Sequence, residues 1–419
     1  MRNLLLLCIL WLASFSYSQI DEIRRITKQL CSPEFHGRGY VKKGDSIASE
    51  YLVDEFKKVG AIPFDKTYFQ NFELAVNTFP GEMSLKQGDK QLTPGLHFSI
   101  DPSSKGGKYT LHPTEVNSAK ILDLDYMRGL IGQLLAQPNS QIIVFNFLGA
   151  SKDTLKQIRP IVREIAQLMP VAELVNKKFT WSVGREQLFF PYFQIQDSVY
   201  QKGGDFEINV DAKEIPQYTS RNVIAYLPAK RKCAKTIMFT AHYDHLGRMG
   251  KDTYFPGAND NASGTAMLLT LAKYFKENPP KYNILFIAFA GEEAGLVGSK
   301  YYTEHPVLSL KKIKFLINLD IMGSGEDGIT TVNGTLFKKE FELLQNINNE
   351  FNLLSKVNIR GPAANSDHYW FTEKGVPAFF IYTSGPNKHY HDIFDTYEEL
   401  SFSEYADITQ LLIEFVKRI

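Results

Sequence analysis

Five near-continuous apolar runs in the C-terminal half constrain the fold more than any other feature. Val223 to Leu227, Thr236 to Thr240, Asn283 to Phe289, Phe315 to Leu319 and Ala378 to Tyr382 contain no charged residue. They lack the in-out alternation of a strand with one wet face, so they read as strands buried on both faces. Stretches of helical period lie between them. In the stretch after Asn261, Leu268, Leu271, Ala272 and Phe275 recur at helical spacing, Ser263 is read as the cap, and Pro279-Pro280 as the stop. This alternation predicts an α/β fold, a three-layer helix-sheet-helix sandwich with a mostly parallel sheet. In such sheets ligands gather outside the carboxyl ends of the strands.

Upstream the pattern changes twice. From Asp21 to about Phe64 it is helical, with Ile23, Ile26 and Leu30 on one face, then Ile47, Tyr51, Leu52, Phe56 and Val59 on another, joined by a loop over Ser32 to Gly39. From about Tyr68 to Ser220 come shorter strand-like runs, Ile121 to Leu124, Gln141 to Phe147 and Phe189 to Ile195, around one helical stretch, Lys152 to Leu168. Glycine, proline and asparagine punctuate them, and the segment reads as an inserted, smaller β-rich domain. The expected organisation is a leader over 1–18, a first part of the main domain over 19–67, an insert over 68–220 and the rest of the main domain over 221–419.

The start of the chain bears on its compartment. Met1-Arg2-Asn3 is a short basic start, Leu4 to Ala13 is apolar, and Ser14 to Ser18 brings small residues before Gln19. That is the pattern of a cleaved secretory signal, so a secreted or periplasmic mature chain is expected. No later stretch approaches the roughly 20 apolar residues a bilayer requires. Cys8 lacks the small residues that precede a lipoprotein cysteine, so no membrane anchor is expected. Cys31 and Cys233 remain, and an oxidising compartment permits their pairing without requiring it. Lys plus Arg is 47 against 46 for Asp plus Glu, so the charge balance argues against nucleic acid or an anionic membrane as partner.

Five short motifs place a potential metal ligand where an apolar run ends or a loop meets a helix: His242 in Ala-His-Tyr-Asp, Asp260 in Gly-Ala-Asn-Asp-Asn-Ala-Ser-Gly, the pair Glu292-Glu293, Asp320 in Asn-Leu-Asp, and His391 in Tyr-His. Any one has an ordinary explanation, as a turn aspartate, a helix-start glutamate or a structural histidine. Their conjunction in one half-chain points to metal chemistry. A neutral imidazole binds zinc, a carboxylate can bridge two ions, and a glutamate beside a ligand can move protons. Spacing alone leaves His245 and Asp244 as rivals to His242, and His389 as a rival to His391. Asp244 is expected to hold a ring nitrogen of His242, and Asp395 to orient His391. His368, in Ser-Asp-His, could lie near a substrate or simply begin a capped helix. The chain has no His-Glu-x-x-His helix, no Gly-x-Ser-x-Gly elbow and no phosphate-binding glycine loop, which leaves a metal hydrolase as the enzyme class with all its parts.

These motifs, with Gly-Glu-Glu-Ala-Gly-Leu-Val-Gly-Ser, Ser-Asp-His and Tyr-His-x-x-x-Asp-Thr, make residues 236 to 400 resemble the secreted di-zinc aminopeptidase family, relatives of the glutamate carboxypeptidase and transferrin-receptor ectodomains. The resemblance implies two zinc ions per chain: His242 and Asp320 on one, Glu293 and His391 on the other, Asp260 bridging them. It implies peptide substrates, hydrolysis of the N-terminal bond by a hydroxide held between the metals, and Glu292 as general base. Tyr390 is expected to donate a hydrogen bond to the oxyanion. Leu30 to Tyr40 looks like the family's N-terminal region, which packs on the peptidase domain, and the insert lies where many relatives carry a protease-associated, lid-like domain. Two other readings use the same fold: a glutaminyl cyclase-like enzyme with one zinc, and an inactive receptor or scaffold. The complete set of ligands and base favours the peptidase.

Overall fold

The computed structural model describes residues 20–137, 139–230 and 235–419. The five apolar runs all become strands of one nine-stranded sheet. Thr236–His242 sits near its middle, parallel to Asn283–Phe289 on one side and to Ile313–Asp320 on the other, and Ile313–Asp320 is parallel to Ala378–Thr383. The flanks run antiparallel: Lys213–Leu227 pairs with Asn283–Phe289 and with Phe69–Thr78, and Ile329–Val332 pairs with Ala378–Thr383. Parallel pairing is thus concentrated in the four central strands, whose carboxyl ends form one edge.

Alternate residues of these strands enter two different cores, which is why the runs are predominantly apolar and carry no charge; the buried Thr240 and Asn318 satisfy each other at 2.7 Å. Ile237, Phe239, Phe286 and Ile317 pack beneath the helices Gly44–Val59, Gly264–Glu277 and Tyr405–Arg418. Met238, Leu285, Ile287 and Leu316 pack on the other face with Tyr302 and Phe371, from the helices Val297–Glu304 and His368–Glu373. The result is the three-layer α/β sandwich. Two local expectations need correction. Ser263 does not cap its helix; the Asn261 side chain accepts from the Gly264 N–H at 3.0 Å, and the Ser263 hydroxyl bonds the Asn259 carbonyl instead. Ile47 is 38% exposed, because the buried stripe of its helix runs through Ala48, Leu52, Val53 and Phe56.

The insert is smaller than 68–220. Phe69–Thr78 and the first part of Lys213–Leu227 pair with each other in the main sheet, with a register shift between Ile215 and Tyr218, where Pro216 has no N–H to offer the ladder. A second, eight-stranded sheet occupies Met83 to Val210. Its helices include Lys152–Ile165, capped by Ser151 and three residues shorter than the Lys152 to Leu168 stretch, and Leu124–Leu134, for which the sequence analysis gave no helix. The Ile121–Leu124 run is no strand. Asn117 and Asp123 each accept a backbone N–H three residues on and start helices there, and that competes successfully with strand propensity. The two units share a core: Phe79, Phe98, Leu174 and Phe193 cluster with Leu246, Met249 and Phe255. Among the described residues no helix is long and apolar enough to cross a membrane. Cys31 is buried, whereas Cys233 and the leader lie outside the described residues.

Candidate active site

All five expected ligands meet at the carboxyl edge of the parallel strands. His242 closes Thr236–His242 and Asp320 closes Ile313–Asp320; His242 Nε2 lies 3.4 Å from Asp320 Oδ1 and 3.3 Å from Asp260 Oδ1. The other oxygen of Asp260 faces His391, with Oδ2 3.1 Å from Nε2, and the same Nε2 is 3.2 Å from Glu293 Oε2. A tetrahedral zinc with bonds of about 2.0–2.1 Å holds neighbouring donors roughly 3.3 Å apart, so these separations fit a metal better than direct hydrogen bonds. Asp320 Oδ1 is buried without a hydrogen-bond partner, as a donor atom reserved for an ion would be. Both histidines present Nε2 inward and donate from Nδ1 to a backbone carbonyl, His242 to Asp244 at 3.1 Å and His391 to Trp181 at 2.9 Å. Such outer bonds set the tautomer and aim of a metal-binding ring.

The charge distribution points the same way. Burial pushes the Glu292 carboxyl well above the usual range, and Glu293, Asp367 and Asp320 add to that against the lowering effect of His242. Burial acts to lower the pKa of His391, but Glu293 and Asp260 outweigh it and push it up to about 11. His242 is likewise raised well above its ordinary value, burial being overcome by Asp320, Glu292 and Asp260. Carboxylates in excess of imidazoles, in a buried cleft, demand positive charge that the protein does not itself provide.

Several neighbours play parts the sequence did not assign. His245 also reaches this half of the site: its Nδ1–H donates to Glu293 Oε1 at 2.7 Å, a hydrogen-bond length, and His245, Asp260 and Glu293 lie at ligand spacing, so two imidazoles, His245 and His391, flank Glu293. The carboxylate of Asp244 lies 3.8 Å from His242 and instead accepts the Glu292 and Glu293 N–H groups and the Tyr40 hydroxyl, holding the acidic turn in place. Asp395 does not orient His391. It accepts the N–H groups of Asn259 and Asp260 and fixes the loop that carries Asp260. The peptide bond between Asp260 and Asn261 is cis. His389 points away, toward Asp392 and Glu399. His368 is buried against Phe380 beside Asn333 and Thr372, and the member of its motif that influences the site is Asp367, whose buried charge raises Glu292. Tyr390 is 51% exposed, its ring stacked on the His391 imidazole at 3.8 Å between centroids. Burial and the carboxylates of Asp260 and Glu293 raise its phenol pKa, so the hydroxyl stays protonated.

Arg38, in the Gly37-Arg38-Gly39 segment, is wholly buried and reaches the same loop from behind. Its guanidinium donates to the carbonyls of Tyr243, Leu30, Pro256, Gly257 and Asp260 at 2.7–3.2 Å. Gly37, at φ +62°, passes so close to the Gly247 and Phe255 carbonyls that a Cβ would lie 2.4–2.5 Å from their oxygens. Only glycine permits that approach.

Residues 222–416 match the model of peptidase family M28. The aminopeptidase YwaD of Bacillus subtilis (strain 168) is 32% identical over 210 residues, covering 46% of this chain and 44% of that protein. A probable zinc metalloprotease of Pyrenophora tritici-repentis is 34% identical over 116 residues, 27% of this chain and 24% of that one. The matches thus span less than half the length of these curated relatives. Among solved structures, the zinc aminopeptidase BSAP of Bacillus subtilis has a TM-score of 0.69 at 19% identity over 94% of both chains. A peptidase M28 precursor from Shewanella amazonensis SB2B has a TM-score of 0.71 at 16% identity, over 96% of this chain and 94% of that one. At such identities these two show the fold, with the insert included in the alignment. The motif set gathered at one sheet edge thus lies within the segment, residues 222–416, over which the chain is similar to peptidase family M28.

Proposed function

We propose that this chain is a zinc-dependent exopeptidase with two zinc ions, acting as an aminopeptidase on peptides with a free N-terminus. The observation that carries the reading is the division of Asp260, one oxygen 3.3 Å from His242 Nε2 and the other 3.1 Å from His391 Nε2. His242 and Asp320 would hold one ion, Glu293 and His391 the other, and Asp260 both. When bound, the pair would supply Lewis acidity at a carbonyl oxygen and lower the pKa of water. Glu292 takes a proton from the attacking water and delivers it to the leaving amine, a task for which a raised carboxyl pKa is suited. Tyr390 donates its hydroxyl to the oxyanion. The surplus carboxylates favour the α-ammonium group of a substrate. A cleft of about 320 Å³ beside Asp260, lined in part by Ile321, Ser324, Asp327, Tyr382 and Tyr390, supports removal of one residue at a time. The names of the curated relatives support the aminopeptidase mode, and the composition of residues 1–18 supports export.

Elemental analysis of the purified chain, with release of aminoacyl chromogenic substrates before and after chelation, tests this reading. Two zinc ions and chelator-sensitive, zinc-restored activity are expected, and Asp260→Ala should lose both ions. A single zinc with cyclisation of N-terminal glutamine would replace the reading with a cyclase. A variant that still holds two ions would remove the bridge.

A further inference from the structure

The inserted unit reaches the site through the loop that carries His391. Residues 384–396, which carry His391, form no helix or strand, and His391 itself has φ +56°, a conformation that residues other than glycine seldom adopt. A side chain presented from such backbone keeps its aim only if its surroundings determine it. The segment between the insert's strands Val171–Val175 and Tyr192–Gln196 provides the surroundings. The Trp181 N–H donates to the His391 carbonyl at 2.9 Å, and the Trp181 carbonyl accepts from His391 Nδ1 at 2.9 Å. Three residues earlier, Lys178 Nζ donates to the carbonyls of Lys388 (2.5 Å) and Tyr390 (3.0 Å) and to Asp392 Oδ2 (2.9 Å). Trp181 is itself fixed from both units: its indole N–H donates to the Ile100 carbonyl at 2.6 Å, and its ring stacks on Phe255 at 4.7 Å.

We propose that residues 178–181 of the insert are a strap that presents His391, and that Lys178 is a positioning residue for the half of the site formed by Asp260, Glu293 and His391. The inference rests on the reading of His391 as a zinc ligand. It gives the insert a structural task in assembling the site, beyond shaping access to it. Lys178 is itself half exposed, so its pairing with the buried Asp392 alone contributes modestly. Here the ammonium also gathers two carbonyls that flank the ligand, so its loss frees the loop. Outer partners of metal-binding histidines commonly change affinity by 10–100-fold.

Calorimetric zinc titration of the metal-free protein separates the possibilities. In Lys178→Met, one of two binding steps should weaken by about 10–100-fold, the same step that His391→Ala abolishes, while the other step and the denaturation midpoint stay at wild-type values. Lys178→Arg should recover part of the loss. Two unchanged steps in Lys178→Met, or both falling together, would overturn the strap and leave the ligand assignment standing. Wild type that binds fewer than two zinc ions, or His391→Ala that keeps both, would overturn the ligand reading and the strap with it.

Discussion

Glu292→Gln is expected to lower kcat by roughly 10²–10⁴-fold, the range a positioned general base contributes, while zinc content and stability stay close to wild type. The physical basis is a division of labour within one dipeptide. The Glu293 carboxylate faces His391 and His245, whereas Glu292 is not among the groups that lie at ligand spacing and is surrounded by other carboxylates. The amide of glutamine matches the shape of the carboxyl but cannot take a proton. The backbone of residue 292 remains bonded to Asp244, so the acidic turn keeps its place. Steady-state kinetics with zinc analysis on the same sample checks this. Parallel loss of metal and activity would make Glu292 a ligand and end its assignment as base.

Arg38→Met should destabilise the chain by about 3–5 kcal/mol, a figure drawn from the cost of buried polar groups left without partners. The five N–H donors of a guanidinium are matched by five carbonyl oxygens, from Leu30, Tyr243, Pro256, Gly257 and Asp260, and the side chain is wholly buried. Methionine fills much of the volume and satisfies none of them. Arg38→Lys should recover less than half of the loss, because one ammonium cannot address carbonyls spread around a planar fork. Since the Gly257 and Asp260 carbonyls belong to the loop that carries the Asp260 carboxylate, proposed above as the bridge, zinc content should fall together with the urea midpoint. A variant with wild-type midpoint and wild-type zinc would show that the loop holds its shape without the arginine.

The strands of the central sheet were legible because each lies between two apolar layers, so nearly every residue is uncharged and most are apolar, and the runs stood out without alternation. Margins were harder. Phe69–Thr78 mixes polar and apolar residues, with Phe72, Leu74 and Val76 buried, and only its pairing with Lys213–Leu227 assigns it to the main sheet. Leu124–Leu134 was missed although Asn117 and Asp123 stand where N-caps stand, because side-chain capping competes with local strand propensity on nearly equal terms.

By itself the sequence determined the α/β class, the strands at whose ends the candidate ligands sit, and the five side chains that converge. The class and the strands follow from local rules, since burial on two faces dictates composition and strand ends dictate where polar chemistry emerges, whereas the choice of His391 over His389 is what the family resemblance implies. Which histidine faces which carboxylate was decided by tertiary structure. His391 lies within 3.2 Å of Asp260 and Glu293 while His389 turns toward Glu399, although only Tyr390 separates them in the chain. The supports came from distant segments as well: Arg38 behind the Asp260 loop, Asp395 on its N–H groups, Trp181 on the His391 ring. Most of these contacts are made to backbone carbonyls and amides. Every residue carries those groups, so no pattern of side chains can announce them, and only the folded path of the chain brings them within reach.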